Sequence, residues 1–219
     1  LKVLKLAANE QLQYAVDVPH DDAVVAWYLQ GAGDTWEDQA ATALTGQIMK
    51  SGFFQQLRTE QQLGYVVSAF SWPQYDVPGL VMLVQSPVAD AGAVASAMEQ
   101  FMQGVVPDLD EAQFVRHRKA LVNEILRPDK NMWERAEFYW QSIARKQWDF
   151  DGRQSLAAAV EKLTLESWRD YYQRVFLAQR YALQVVAPGK SGKLPQGDMR
   201  RYDSAEAIKA DHPAYIIDQ

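Results

Sequence analysis

The amino-acid sequence predicts an α+β domain in which an antiparallel β-sheet carries helices packed over one face. Two observations predict it. Segments with the two-residue apolar period of strands come as neighbours joined by turns, whereas segments with helical spacing are grouped together late in the chain. The composition agrees, because 48% hydrophobic and 23% charged residues are the proportions of a chain that buries a core. At 219 residues such a chain removes roughly two-thirds to three-quarters of its unfolded surface from water, so one domain needs no metal or disulfide staple.

The elements follow in order. Leu12, Tyr14, Val16 and Val18 alternate with polar or small residues, as in a half-buried strand, and Pro19-His20-Asp21-Asp22 makes a turn. The nearly continuous apolar run from Ala23 to Gln30 predicts a strand buried on both faces, stopped by Gly31-Ala32-Gly33. Asp34 with Glu37 opens a helix through Ala40, Ala43, Leu44 and Ile48, which Ser51-Gly52 is expected to interrupt before a shorter amphipathic turn through Phe54, Leu57 and Arg58. Tyr65 to Trp72 and Leu80 to Gln85 predict an antiparallel pair of strands around the turn-rich 73–79 segment. Helices are then expected over 91–103, over 109–126 behind an Asp108/Glu111 capping box, and after Asn131/Glu134, with Asp149-Phe150-Asp151-Gly152 as the last one's stop. In that third helix Trp133, Ala136, Trp140 and Ile143 form an apolar stripe expected to face the core, and most of the seven tryptophans are read as packing. A short helix through Leu156 and Val160, another opened by Thr164, and a strand from Tyr181 to Ala187 complete the pattern. Residues 190–219 read as a polar loop or tail, and 1–219 as a single domain without internal repeats.

Composition excludes several function classes. With 28 acidic against 22 basic residues the net charge is -6, so no sequence-wide positive field exists to attract a phosphate backbone, and nucleic acid is not an expected partner. The absence of cysteine removes thiolate metal sites and cysteine nucleophiles, and leaves the redox compartment open. The longest apolar run, Ala23 to Leu29, falls far short of the ~20 residues of a membrane-spanning helix, so membrane insertion is not expected. The chain starts at Leu1 without the regions of a signal peptide and reads as a piece of a longer protein.

Intrinsic catalytic motifs are scarce. His20, His117 and His212 lack the spacing that places two imidazoles on one zinc, so no metal site is expected. Asp108-Leu109-Asp110-Glu111 lacks the glycine and the terminal glutamate of a calcium loop. Gly31-Ala32-Gly33 has Trp36 where a dinucleotide fingerprint needs its third glycine, and no Gly-x-Ser-x-Gly elbow occurs.

One segment carries chemistry: Phe54-Gln55-Gln56-Leu57-Arg58-Thr59-Glu60-Gln61-Gln62-Leu63-Gly64-Tyr65. It joins a helix end to a strand with Gly64 as the pivot, which a purely structural joint also explains. Arg58, a planar multi-donor cation, and Tyr65, a phenol, flank that junction, and such a pair suits a peptide carbonyl. The run Leu57-Arg58-Thr59-Glu60-Gln61-Gln62-Leu63-Gly64-Tyr65, preceded by Phe53-Phe54 and followed by an apolar strand, resembles the final domain of the insulysin/pitrilysin zinc peptidases, the inverzincin or M16 family, whose fold is mitochondrial-processing-peptidase-like. Gln61 replaces the glutamate more usual in that family. The resemblance continues through Gln85-Ser86, Trp148-Asp149-Phe150-Asp151 and Leu163-Thr164 and fades in the tail.

The resemblance implies a zinc-free C-terminal domain, inactive alone, of a metalloendopeptidase whose two halves close around a peptide. Zinc, bound by His-x-x-Glu-His, would belong to the N-terminal half of the same protein, which with peptide substrates would be this domain's partner. Arg58 would hold a substrate carbonyl, and Tyr65 would act as an auxiliary catalytic donor to the oxyanion. Relatives of this fold also serve as non-catalytic scaffold or peptide-binding subunits, which is the alternative function. The pitrilysin resemblance places the parent in the periplasm ahead of the cytoplasm.

Overall fold

The structure, a computed structural model, describes residues 2–144, 148 and 150–216. Its centre is a six-stranded sheet in the order β4-β5-β3-β6-β2-β7. These strands are β2 (Gln11–Ala15), β3 (Ala23–Gln30), β4 (Val66–Ser71), β5 (Gly79–Ser86), β6 (Tyr181–Ala187) and β7 (Arg200–Tyr202). A separate antiparallel pair joins β1 (Lys2–Leu4) to β8 (Ala214–Ile216). The α+β class and the antiparallel sheet hold for β4, β5, β3 and β6, with one correction: β2 runs parallel to both β6 and β7, so the sheet is mixed.

Seven helices are described: α1 (Trp36–Phe54), α2 (Ala91–Gly104), α3 (Glu111–Ile125), α4 (Met132–Ala144), α5 (Gly152–Lys162), α6 (Leu165–Tyr172) and α7 (Ala205–Asp211). Val25, Trp27 and Leu29 of β3, and Leu80, Met82 and Val84 of β5, face one buried cluster with Leu44, Phe53, Met98, Phe114, Val160 and Trp168. Helices thus cover one face; β3 is not buried on both faces as its apolar run suggests, because Val24, Ala26 and Tyr28 on the opposite face stay partly exposed. The helix layer is keyed by buried hydrogen bonds. Trp168 Nε1–H donates to Thr45 Oγ1 at 3.1 Å, Thr42 and Tyr171 share a hydroxyl contact at 3.0 Å, and the Tyr172 hydroxyl donates to the Met102 carbonyl at 2.9 Å. Burial raises the Tyr171 phenol to about 12 and pushes the Tyr172 phenol up as well, so both tyrosine hydroxyls stay protonated.

Several local expectations are corrected. The N-cap of α1 is Thr35, which accepts from the Asp38 amide, rather than Asp34. Ser51-Gly52 does not interrupt α1, which runs on into a π-helical turn, Gln55–Glu60. The capping box of α3 pairs Asp110 with Gln113 rather than Asp108 with Glu111. The stripe on α4 does not face the core: Trp133 and Trp140 are exposed, as are Trp72 and Trp148, whereas Trp27 and Trp168 are buried. Periodicity identifies residues that share a helix face, but it carries no information about whether the same chain covers that face.

Within the segment read as a polar tail, residues 200–216 form β7, α7 and β8 and bury Tyr202 and Ile208 against Leu6 and Leu12 in a second, small cluster. Asp149, part of the expected helix stop and of the family resemblance, lies outside the described residues, as do 217–219 of the expected tail.

Candidate functional site

Strand register brings the candidate residues together. Asp22 immediately precedes β3, Tyr65 immediately precedes β4, and Gln85 lies near the end of β5. Val66 pairs with Gln85, and Ala23 pairs with Ser86, so all three residues sit at one end of three adjacent strands. The approach of the Arg58-to-Tyr65 segment to β5 requires Gly64. A Cβ there would meet the carbonyl group of Gln85, with the carbonyl carbon only 3.0 Å away. Gln62, at φ 52°, turns the chain out of the π-helical turn.

Arg58 faces inward on this junction. Its Nη1 donates to the carbonyl of Gly64 at 3.2 Å and also to the carbonyl of Tyr65. The guanidinium lies 5.6 Å from the centre of the Phe54 ring, a contact that holds its plane. The guanidinium therefore organises its own loop before it meets any other carbonyl.

Tyr65 is half exposed, and its hydroxyl donates to Asp22 Oδ2 at 2.8 Å. Gln85 Nε2 donates to the same oxygen at 3.1 Å. The Asp22 side chain is 11% exposed, so these two donors replace most of its hydration. The hydrogen bond to Asp22 raises the Tyr65 pKa above the ordinary phenol value, assisted by partial desolvation and the nearby negative charge. Tyr65 is consequently a neutral phenol at physiological pH. On the outer side His20 Nδ1 accepts from the Asp22 amide at 3.0 Å and lies 3.7 Å from Asp22 Oδ1. Lys190 pairs with Asp21 at 2.6 Å.

The structure thus brings Arg58 and Tyr65 to one junction through the Tyr65 carbonyl, and adds Asp22 and Gln85, to which the sequence reading assigns no role. Asp22 carries only a turn signal along the chain; its carboxylate becomes a partner of Tyr65 through the β3–β5–β4 register. The other histidines stand elsewhere. His212 bonds Glu10 at 2.8 Å, and burial beside Arg116 lowers the pKa of His117. Among the described residues no three His, Cys, Asp or Glu side chains converge as metal ligands.

Similarity to known proteins places this junction in context. Residues 44–140 match the family described as PQQ synthase PqqF-like, C-terminal lobe domain 4. Insulin-degrading enzyme-like 1, peroxisomal, of Arabidopsis thaliana is 26% identical over 197 residues, covering 86% of this chain and 20% of that protein. The crystal structure of pitrilysin superposes with a TM-score of 0.88 at 21% identity, covering 98% of this chain and 24% of that one. The chain is homologous to the insulysin/pitrilysin M16 peptidases, within their C-terminal lobe. The domain also shares its fold with a peptidase M16 inactive domain from Pseudomonas fluorescens, at a TM-score of 0.61 and 14% identity over 93% of this chain and 48% of that one. It spans about a fifth of the plant relative's length. No helix among the described residues is long and apolar enough to cross a membrane.

Proposed function

We propose that this domain is the non-metal-binding C-terminal part of an M16 zinc metalloendopeptidase and that it closes the peptide chamber, contacting substrate through Arg58 and Tyr65. The observation that carries the reading is the placement of a half-exposed neutral phenol and a guanidinium on one hydrogen-bonded junction at the end of the sheet. Tyr65 supplies a hydrogen-bond donor to a carbonyl oxygen as it gains negative charge. Arg58, already fixed on two carbonyls of its own loop, offers its remaining N–H groups to a neighbouring peptide carbonyl. Neither residue activates water, so catalysis requires the N-terminal half, and this domain alone hydrolyses nothing. The parent's compartment is proposed as the periplasm ahead of the cytoplasm, on the pitrilysin likeness.

The test compares wild type, Tyr65→Phe and Arg58→Lys in the intact parent on a medium-length unstructured peptide, with and without chelator. Chelator-sensitive cleavage is expected. Tyr65→Phe should lower kcat by about 10²- to 10³-fold, the effect of deleting one oxyanion donor, and should also lower the melting temperature by a few degrees, because the covered Asp22 carboxylate loses a donor. Arg58→Lys should lower kcat/KM at low and high salt alike, because an ammonium cannot reproduce the fork of donors. Cleavage at wild-type rate by both variants would overturn the assigned roles.

A second reading has a specific observation in its favour. Arg58 Nη1 is used on the chain's own carbonyls, and the fold is shared with an M16 inactive domain, so the junction also suits a scaffold or peptide-binding subunit. Peptide binding by the parent without any chelator-sensitive cleavage would support that reading.

A further inference from the structure

A tyrosine hydroxyl has one hydrogen. Here that hydrogen goes to Asp22 Oδ2, so a carbonyl oxygen approaching Tyr65 meets lone pairs unless the hydroxyl turns away from the carboxylate. We propose that Asp22 is a positioning residue for Tyr65: with Gln85 it holds the phenol and its only hydrogen in a resting arrangement that an incoming peptide carbonyl must displace. This rests on the reading of Tyr65 as a substrate donor.

Three features support the hold. Gln85 Nε2 lies on the same carboxylate oxygen at 3.1 Å, which fixes that oxygen beneath the phenol. The Asp22 side chain is mostly covered and anchored at the start of β3, so it cannot relax into solvent as a surface carboxylate would. An ionised carboxylate is also a stronger acceptor than a neutral peptide carbonyl, so at rest it wins the hydrogen. The other polar and charged groups around it are His20 on the preceding turn, the Asp21–Lys190 pair, and Gln85 on β5.

Asp22→Asn separates charge from shape, since asparagine keeps an acceptor oxygen of the same size. In the intact parent it should raise kcat/KM about three- to tenfold, the difference between surrendering a charged and a neutral hydrogen bond. In a Tyr65→Phe background the same change should have no effect, because Asp22 acts only through the hydroxyl. An independent readout is ring-13C NMR titration of tyrosine in the parent, with Tyr65 assigned by its loss in Tyr65→Phe. Tyr65 should titrate above about 10 in wild type and move down toward that value in Asp22→Asn.

A fall in kcat/KM, or an equal change in both backgrounds, would overturn the proposal. So would a wild-type Tyr65 that titrates at the ordinary value, a result that requires no variant. If the parent cleaves no peptide, the proposed function fails by itself, and the titration alone decides whether Asp22 holds Tyr65.

Discussion

An alanine at Gly64 would place its methyl group against the backbone carbonyl of Gln85, at the first pair of the β4–β5 ladder, where the neighbour cannot rotate away as a side chain would. Overpacking of this kind costs about 1–3 kcal/mol. For a domain of this length that is a loss of about 2–12 °C in melting temperature, measurable by calorimetry on Gly64→Ala. An unchanged Tm would show that the loop shifts outward at no cost and that Gly64 does not fix the junction. The same residues show what a single sequence reveals at this scale. Arg58 and Tyr65 are legible because their side-chain chemistry and family motif stand out in one contiguous run. Asp22 is not, because an aspartate after Pro19-His20-Asp21 has the composition of any turn, and its partners lie 43 and 63 residues further along the chain.

Helix α2 is tied to the start of β6 by a charged pair, in which Arg180 donates from Nη1 and Nη2 to the two oxygens of Glu99 at 2.7 and 2.9 Å. The Arg180 guanidinium also lies 5.0 Å from the centre of the Trp27 ring, and its Nε–H donates to the Phe176 carbonyl. Burial by itself would raise the Glu99 pKa, but hydrogen bonds from Arg180 and Gln103, with the arginine's charge, outweigh it and leave the carboxyl below its ordinary range. A depressed folded-state pKa gives stability that is present above the unfolded value of about 4.3 and is lost as pH falls through the folded value. Glu99→Gln should therefore be less stable than wild type at pH 7, with the gap narrowing as acid protonates Glu99 in the wild type. Urea unfolding at pH 7, 5 and 3 checks this, and a gap that stays constant with pH would exclude the ion pair as its source. Elements with long periods were legible here: α2, α3 and β5 follow their apolar spacing, and α6 follows its Thr164 opening. The α1 continuation was not, because Ser51-Gly52 carries a local breaking tendency that Phe53 and Leu57, both fully buried, override by packing.

Across the whole molecule the sheet divides into two zones of different depth. Strands β3 and β5 lie inside the sheet, with β4 and β6 beside them, under a helix layer that fills the large cluster. At the other side β2 is held between β6 and a three-residue edge strand, over a cluster whose buried members are Leu6, Leu12, Tyr202 and Ile208. Strand β2 was legible from its alternation, but β1, β7, α7, β8 and the parallel pairing of β2 were not. A three-residue strand such as β7 is too short to show a period, and its first two residues are exposed arginines. Gln13 breaks the expected alternation by being buried, as Leu12 is, next to Gln184 at 3.4 Å, and the β1–β8 pairing joins residues more than two hundred positions apart. Stability follows the number of buried contacts, so β7, α7 and β8 should open locally, whereas β3 and β5 exchange their amides only on global unfolding. Tyr202 is the central tie: its ring packs 5.7 Å from His212, and its hydroxyl donates to Asp211. Removing that ring with Tyr202→Ala should speed hydrogen exchange across 200–216 and in β2, while peptides from β3 and β5 keep their protection at neutral pH. Mass-spectrometric exchange on wild type and variant distinguishes the cases. If β3 and β5 lose protection as fast as β7, the small cluster is part of one cooperative unit, and the C-terminal segment supports the sheet end that carries Asp22 as well as its own edge.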